Sequence, residues 1–303
     1  MNWKSVATVA AVAAILAAPA SAQVLDGSIA GDGYGAPAAV QTVQTQFGDN
    51  FSELNAAYGF VSGGNLHVTI TGNLESNFNK LNIFIDSVSG GQNMIDASMN
   101  PTNDGWANAY NGFMFDSGFD ADYLIIARNG DFGGPRFDFD FNSVGNLSVE
   151  ESSVDIFGGS FGGVNPSVGA SGIGVAFDNS NSAGIMGGDG PADQAAAAAV
   201  ETGLEFVIPL SAIGNPSVGD EILISAMING SNHDFLSNQF LGGLEAPQSN
   251  LGGDGFGNFT GNVGGVNLKN FAGNQYFSVT VVPEPSTACI LAVAACGLVR
   301  RRR

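Results

Sequence analysis

Apolar and polar residues alternate at every second position along several stretches of this chain, a pattern that indicates half-buried β-strands. Leu66, Val68 and Ile70 alternate with polar residues, so the two sets would face opposite sides of a sheet. The same alternation recurs at Leu81, Ile83 and Ile85, at Phe137, Phe139 and Phe141, and at Ile222, Ile224, Ala226 and Ile228. The pattern predicts a chain that is rich in amphipathic strands.

A second group of strands is predicted from composition and from the turns around them. Residues 123–127 are apolar throughout and predict a central strand that is buried on both faces. Clusters of glycine and asparagine separate further strands, which we expect around 148–157, 172–177, 204–210 and 275–282. Many short strands divided by such turns favour an all-β fold, and we predict a single β-sandwich over residues 23–281.

Helical signals are short and few. Residues 193–200, DQAAAAAV, predict a helix with an acidic start at Asp193. Residues 211–214 predict one turn that Ser211 caps and Gly214 ends. Residues 244–274 are rich in glycine and asparagine and predict a long loop.

The N-terminus has the three parts of a secretory signal. Lys4 supplies the positive charge, residues 6–18 form an apolar run, and Ala20-Ser21-Ala22 is a small-residue cleavage site. We therefore predict a cleavable signal helix over residues 1–22, which would direct the protein to the Sec translocon and which signal peptidase would remove. Cleavage after Ala22 would leave Gln23 as the first residue.

The C-terminus also has three parts, which together span residues 282–303. Pro283, Glu284 and Pro285 are followed by an uncharged stretch at 286–299, and the chain ends in four consecutive cations, Arg300, Arg301, Arg302 and Arg303. The uncharged stretch predicts a short transmembrane helix of roughly 21 Å, which is less than the hydrocarbon core of about 30 Å. Arginines at one flank would stay on the cytoplasmic side.

These C-terminal residues resemble the PEP-CTERM sorting signal of bacteria with two membranes, in which the motif is 283–285, the helix 286–299 and the basic tail 300–303. The resemblance implies that an exosortase, a membrane protease supplied in trans, removes the tail. The protein would be anchored transiently in the inner membrane and then reach the cell surface, the outer membrane or the extracellular matrix. The alternative is an ordinary C-terminal anchor.

The body carries a second, looser resemblance. Leu25-Asp26-Gly27, the stretches LHVTITGNLE and KLNIFIDS, and GLEFVIPLSAIG at 203–214 resemble the DOMON-like sandwiches, which include the family 9 carbohydrate-binding modules. The resemblance implies a DOMON-like or jelly-roll sandwich that binds carbohydrate, such as an exopolysaccharide. Members that bind sugars hold the ligand between aromatic rings, commonly two tryptophans, whereas this body has a single tryptophan, Trp106.

Charge and cysteine content limit the function further. Residues 23–282 contain four lysines and arginines and 27 acidic residues, a net charge of −23. Such a surface repels nucleic acid, and it either attracts divalent cations or keeps the protein soluble. The cysteines, Cys289 and Cys296, lie in the C-terminal segment, so the exported body must be held together by its core and, in one hypothesis, by Ca²⁺.

Two groups of residues are candidates for binding. Trp106 and Tyr110 lie in a polar stretch, where they could stack on a sugar ring or fill one end of the sandwich core. Asp116, Asp120 and Asp122 surround a glycine turn, and such a turn either binds Ca²⁺, which prefers oxygen ligands, or is simply solvated.

A catalytic site is not predicted. Residues 158–162 match the GxSxG string of serine hydrolases, but that motif needs a strand before it and a helix after it, and here the flanking residues favour a turn. His67 and His233 are interpreted as non-ligating. We therefore predict an exported, non-enzymatic β-sandwich. The alternatives are a calcium-stabilised structural or adhesive protein and, third, a secreted hydrolase.

Overall fold

The computed structural model describes residues 23–98, 105–252 and 263–283. The predicted signal peptide and residues 284–303 of the predicted sorting signal lie outside these ranges. Within the ranges, no helix is long and apolar enough to cross a membrane. The strands are β1 (Ala39–Val40), β2 (Glu53–Ser62), β3 (Asn65–Asn73), β4 (Asn77–Asp86), β5 (Tyr123–Asp131), β6 (Pro135–Ser143), β7 (Ser148–Ser153), β8 (Gly163–Val168), β9 (Ile173–Phe177), β10 (Gly203–Pro209), β11 (Glu221–Asn229), β12 (Leu236–Leu241) and β13 (Phe277–Thr280).

The strands form two antiparallel sheets with very little helix, which confirms the predicted all-β class. One sheet has the order β1-β2-β3-β10-β9-β8, and the other has the order β12-β11-β4-β5-β6-β7 with β13 also paired to β11. Neighbouring strands in both sheets run antiparallel. The arrangement is consistent with the predicted β-sandwich.

The main hydrophobic core is built from the residues that alternate along the sequence. Leu66, Val68 and Ile70 of β3 pack in one cluster with the apolar residues of β4, β6 and β11, which come from the other sheet. Burial of these apolar faces is the main favourable contribution to folding. The predicted faces of these four strands are therefore confirmed.

A second hydrophobic cluster lies on the opposite face of the seven-stranded sheet. Phe84 of β4, Leu124 and Ile126 of β5, and Phe240 of β12 pack there against residues of the connecting segments, namely Trp106, Tyr110, Phe113, Phe115, Phe119, Val263 and Leu268. Because β5 contributes to both clusters and pairs with β4 and β6, it is the central strand that its composition predicts.

The polar faces of β3 and β6 are largely buried rather than solvated. His67, Thr69 and Thr71 of β3 are almost inaccessible, as are Asp138 and Asp140 of β6. Buried polar groups require partners. On β6 these are charged, since Arg136 donates to Asp138 at 2.6–2.9 Å and Arg128 lies 2.6 Å from Asp140. Alternation alone does not distinguish a solvated polar face from one that a connecting segment covers.

The short elements agree with the sequence in part. α2 (Gln194–Ala198) begins after Asp193, whose carboxylate accepts from the amides of Ala195 and Ala196. A 3₁₀ turn (Leu210–Ile213) ends at Gly214 in the left-handed conformation, as predicted, but Ser211 does not cap it, because the turn begins one residue earlier, after Pro209.

Other elements were not predicted. They are α1 (Trp106–Ala109), β1, β2, β8 and β12. In the predicted loop, the described residues form two 3₁₀ turns, Val263–Gly265 and Leu268–Asn270.

Candidate functional site

Residues 23–34 cover the outer face of the six-stranded sheet. On this face, register places Glu205 of β10 beside Thr69 of β3, and Thr69 beside Tyr58 of β2. Tyr34 packs edge-on against Tyr58 and Phe60, with ring centroids 6.1 and 5.1 Å apart. We call residues 23–34 the N-terminal segment.

Glu205 is the polar centre of this contact. Its side chain is inaccessible to solvent, and it accepts hydrogen bonds from the backbone amides of Asp26 at 2.9 Å and Gly27 at 3.0 Å, and from the Tyr34 hydroxyl at 3.1 Å. The side-chain amide of Gln23 also donates to it. A buried carboxylate needs such donors, because each missing donor leaves part of the free-energy cost of removing the carboxylate from water uncompensated.

Backbone pairing fixes the N-terminal segment beside Glu205. Gly203 donates to the carbonyl of Gly27, and Ile29 donates to the carbonyl of Glu201, both at 2.9 Å. Gly27 has a φ of +83°, and a Cβ there would lie 2.6 Å from the backbone nitrogen of Asp178. Glycine is therefore required at position 27 on both conformational and steric grounds.

Three carboxylates converge at this point. Asp26, which is exposed, Asp32, which is half-buried, and Glu205 offer oxygen atoms that all lie within 4.8 Å of one another. The Gln23 side-chain amide bridges two of them, since it also donates to Asp32 at 2.8 Å. The group can hold a cation, because converging carboxylates suit a metal ion or an ammonium. We call Asp26, Asp32 and Glu205 the carboxylate cluster.

The electrostatics of the carboxylate cluster follow from its burial. Desolvation raises the pKa of Glu205 above its ordinary value, against the effect of the hydrogen bonds that it accepts. Burial also raises the pKa of Asp32. The pKa of Tyr34 is raised by burial and then by the negative charge of Glu205. At each of these three groups burial is the largest cause of the shift, because desolvation disfavours the charged form.

His67 is a nearby base on the same face. Its imidazole stacks on the Phe60 ring, with centroids 4.6 Å apart and planes 5° from parallel. Burial lowers its pKa, although the charge of Asp32 opposes this shift. His67 is thus kept neutral by its surroundings near neutral pH.

The predicted sugar-stacking residues are in the core. Trp106 and Tyr110 are both fully buried, and both rings pack edge-on against Phe84 at 6.2 and 5.7 Å. The Tyr110 hydroxyl accepts from Asn82 at 2.8 Å. A saccharide cannot reach either ring, so their assignment as ligand-binding residues is corrected in favour of the alternative, core packing.

The predicted calcium residues Asp116, Asp120 and Asp122 are not among the described carboxylates whose oxygen atoms converge. The Asp122 carboxylate accepts from the amides of Ser87 and Val88 at 2.8 and 2.9 Å, and Asp116 accepts from Ser117 at 2.7 Å. Asp120 is exposed. Among the described residues, the carboxylates that converge are those of the carboxylate cluster, not these three.

The two remaining sequence candidates are in loops. Ser160 lies in the loop between β7 and β8, and a strand rather than a helix follows it. His233 follows β11 in a turn, is buried, and has a φ of +59°. Neither position has the strand–turn–helix geometry of a nucleophile elbow.

A polar cleft of about 700 Å³ opens between β1 and β13. Its walls include the half-buried ring of Tyr276 and the exposed side chains of Asn274 and Glu221. The Tyr276 ring lies 5.5 Å from that of Phe119, and its hydroxyl donates to the Ser117 carbonyl at 3.3 Å. These contacts hold the ring in place at the edge of the cleft.

The sequence analysis predicted neither the carboxylate cluster nor the cleft at Tyr276, although one feature of the sequence pointed to the carboxylate cluster. The two stretches that resemble DOMON-like sandwiches, 25–27 and 203–214, meet in the structure through the hydrogen bonds from Asp26 and Gly27 to Glu205. No signal in the sequence indicates the cleft at Tyr276.

Comparison with known proteins found no family model, no curated protein and no solved structure that matches this chain.

Proposed function

We propose that this chain is an exported surface or matrix protein with a non-catalytic DOMON-like or jelly-roll sandwich. Signal peptidase would remove the signal peptide after Ala22, and an exosortase would recognise the C-terminus and sort the protein. The observation that carries the proposal is that residues just inside both proposed cleavable segments are bonded to the sheets. Gln23 already donates to Glu205, and Val281 donates to the carbonyl of Asp220 at 2.9 Å. Both cleavages would therefore leave the two sheets intact.

The surface charge supports the same proposal. The body carries a net charge of −23, which disfavours nucleic acid and anionic lipid as partners and favours solubility outside the cell. The proposed partners are the Sec translocon, signal peptidase and an exosortase in trans.

The test of sorting is fractionation of the native host. Replacing Glu284 by Ala, or the four terminal arginines by Ala, should leave export intact and trap the protein in the inner membrane. A matched control is Glu245→Ala, an exposed acidic residue of the body, which should be delivered normally. Normal delivery of both tail variants would contradict exosortase sorting.

The ligand class that we propose is carbohydrate, specifically an exopolysaccharide, and the surface that we assign to it is the cleft at Tyr276. A half-buried aromatic ring beside polar side chains is the combination that sugar sites use, because the ring covers the apolar sugar face while polar groups bind its hydroxyls. The support is the geometry of Tyr276 and Asn274 in the cleft.

A glycan array tests this assignment. Tyr276→Ala and Asn274→Ala should each remove the signal, while Phe132→Ala, which removes an aromatic ring that is 80% exposed in another part of the surface, should not. Binding that persists in both cleft variants would contradict the assignment. An array without any signal would contradict carbohydrate as the ligand class.

A calcium-stabilised structural or adhesive protein is the second candidate. The observation that favours it is the convergence of Asp26, Asp32 and Glu205 within 4.8 Å. A bound ion must stabilise the folded state, by about 2.7 kcal/mol at a hundredfold excess over the dissociation constant. Thermal unfolding with EDTA and with added Ca²⁺ tests this candidate, and identical melting temperatures would eliminate it.

A further inference from the structure

A second cleft, of about 490 Å³, lies beside the first residue of β5, Tyr123. Both sheets contribute to its walls. Ser143 and Glu150 belong to the seven-stranded sheet, whereas Ala170 lies in the turn between β8 and β9 of the six-stranded sheet. We call it the Tyr123 cleft. It combines a half-buried aromatic ring with polar side chains, as the cleft at Tyr276 does.

Packing orients the Tyr123 ring. It stacks on the buried Phe141 ring, with centroids 5.6 Å apart and planes 15° from parallel. Burial raises the pKa of Tyr123, and the negative charges of Asp122 and Glu150 raise it further, so the hydroxyl keeps its proton and can donate a hydrogen bond. The ring is therefore preorganised to stack on a sugar face, with a donor at its edge.

One wall of the Tyr123 cleft is fixed by a contact between the two sheets. Glu151 of β7 accepts a hydrogen bond of 2.6 Å from the backbone amide of Ala170, in the turn between β8 and β9. The same carboxylate also accepts from the backbone amide of Ser171. The cleft is therefore formed in the free protein, as ligand sites usually are.

A third cleft, of about 520 Å³, adjoins both of the others. It shares Glu221 with the cleft at Tyr276. Val88, which lines the third cleft, approaches the Tyr123 hydroxyl at Gly214, where a Cβ would lie 2.6 Å from Val88 and 3.4 Å from that hydroxyl. The third cleft therefore connects the Tyr123 cleft to the cleft at Tyr276. We call the three clefts together the groove.

Strand register gives the length of the groove. Tyr123 of β5 lies opposite Ile85 of β4. Ile85 lies opposite Ile224 of β11, which in turn lies opposite Phe277 of β13. Phe277 follows Tyr276 in the chain, and three strand spacings amount to about 14 Å. A ligand that contacts both tyrosine rings must therefore be longer than a single sugar.

The charge of the groove distinguishes among polysaccharides. Among the described residues that line the three clefts, every charged side chain is acidic: Asp86, Glu150, Asp220 and Glu221. A carboxylate accepts hydrogen bonds from the hydroxyl groups of a neutral sugar, but it repels the negative charges of uronic acids and sulfated sugars. The groove therefore fits an uncharged chain.

From these observations we infer that the groove is one extended site for a linear, uncharged polysaccharide, in which Tyr123 and Tyr276 each stack on a different sugar of the same chain. The inference rests on the proposed carbohydrate function and adds to it a second contact residue, a minimum ligand length and a charge. Because both contacts act on one chain, the second adds affinity without a second loss of translational and rotational freedom.

Isothermal titration calorimetry tests the inference on the full chain, exported and purified from a bacterial host. The probes are the linear disaccharides and hexasaccharides of neutral glucans, mannans, galactans and xylans, and a hexasaccharide of galacturonic acid. We expect a neutral hexasaccharide to bind about tenfold more tightly than its disaccharide. The galacturonate should not bind, because its charges are repelled.

Variants separate the two tyrosines. Tyr123→Ala and Tyr276→Ala should each lower the affinity for the hexasaccharide about tenfold, to that of the disaccharide, because one aromatic contact remains. Tyr123→Phe keeps the ring and should retain most of the affinity. Because Tyr123 also packs on the core, Glu150→Ala is a second variant, at an exposed position of the same cleft. It should weaken hexasaccharide binding about threefold, whereas the matched control Glu245→Ala should bind as the wild type does.

Four results would overturn the inference. They are equal affinities for the disaccharide and the hexasaccharide, a hexasaccharide affinity that is unchanged in either tyrosine variant, an affinity unchanged in Glu150→Ala, and binding of the galacturonate as tight as that of the neutral chains. In each case, binding that is lost in Tyr276→Ala would still support the proposed carbohydrate function. A protein that binds none of the probes would instead refute that function, and the inference with it. The two failures are therefore distinguishable.

Discussion

The backbone amide of Gly27 donates a 3.0 Å hydrogen bond to the buried carboxylate of Glu205, which follows it by 178 positions. This bond attaches the first described residues to the middle of β10, a strand inside the six-stranded sheet. Because Gly27 cannot carry a side chain next to Asp178, the contact depends on residue types at both ends. Glu205 thus holds the N-terminal segment in place.

Replacing Glu205 by Ala should destabilise the protein strongly. The change leaves the amides of Asp26 and Gly27 and the Tyr34 hydroxyl without their acceptor, and buried donors without partners cost about 1–3 kcal/mol each in context. We expect a loss of about 3 kcal/mol in the free energy of unfolding, measured by urea denaturation. Glu245→Ala should change it by less than about 0.5 kcal/mol, as an exposed position does. Equal effects of the two variants would show that the Glu205 contacts add nothing.

Asp86 should make stability fall as pH rises. Burial raises its pKa from the ordinary value of 3.8 to about 6, so between these two values the folded state keeps a proton that the unfolded state has lost. Its contribution is therefore fully present below about pH 4 and disappears as pH rises through about 6. Asp86→Asn should leave stability unchanged at pH 4 and raise it by about 1 kcal/mol at pH 7, a figure reduced for solvent screening.

The measurement is urea denaturation of both proteins at pH 4, 5, 6 and 7. Glu245→Gln, which removes an exposed charge, is the control for the general effect of net charge. A gain at pH 4 as large as that at pH 7 would show that the titration of Asp86 is not the cause.

Trp106 should report core packing through its fluorescence. The other tryptophan, Trp3, belongs to the predicted signal peptide, so emission of the processed protein comes from Trp106. Full burial predicts blue-shifted emission that iodide does not quench. Trp106→Ala should cost about 3–5 kcal/mol, because it opens a cavity beside Phe84, whereas Phe132→Ala should cost little. Quenching as efficient as that of free tryptophan would contradict the burial.

Asp193 should stabilise α2 by capping it. Its carboxylate accepts from the amides of Ala195 and Ala196 at 3.0 and 3.1 Å, so Asp193→Ala should cost about 1 kcal/mol. Ser211→Ala is the matched comparison, since the 3₁₀ turn there has no side-chain cap, and it should cost less than about 0.5 kcal/mol. Urea denaturation measures both, and a larger loss in Ser211→Ala would reverse the assignment of caps.

Strands β3 and β2 show what could and what could not be predicted from the sequence. Alternation at Leu66, Val68 and Ile70 predicts the buried face of β3 correctly, because the period of side-chain direction is a property of the extended backbone itself. It does not predict that His67 and Thr69, on the other face, are also buried. β2 was missed altogether, since its residues ELNAAYGFVS alternate poorly.

The sequence by itself determined the all-β class, the faces of β3, β4, β6 and β11, the central position of β5 and the end of the turn at Gly214, because these follow from local periodicity and backbone preference. Only the tertiary structure decided that Trp106 and Tyr110 fill a core, that Asp116, Asp120 and Asp122 do not converge, and that Asp26, Asp32 and Glu205 do. Contacts between residues far apart in the chain depend on which strands pair and which segments cover them, and local patterns carry no information about that pairing.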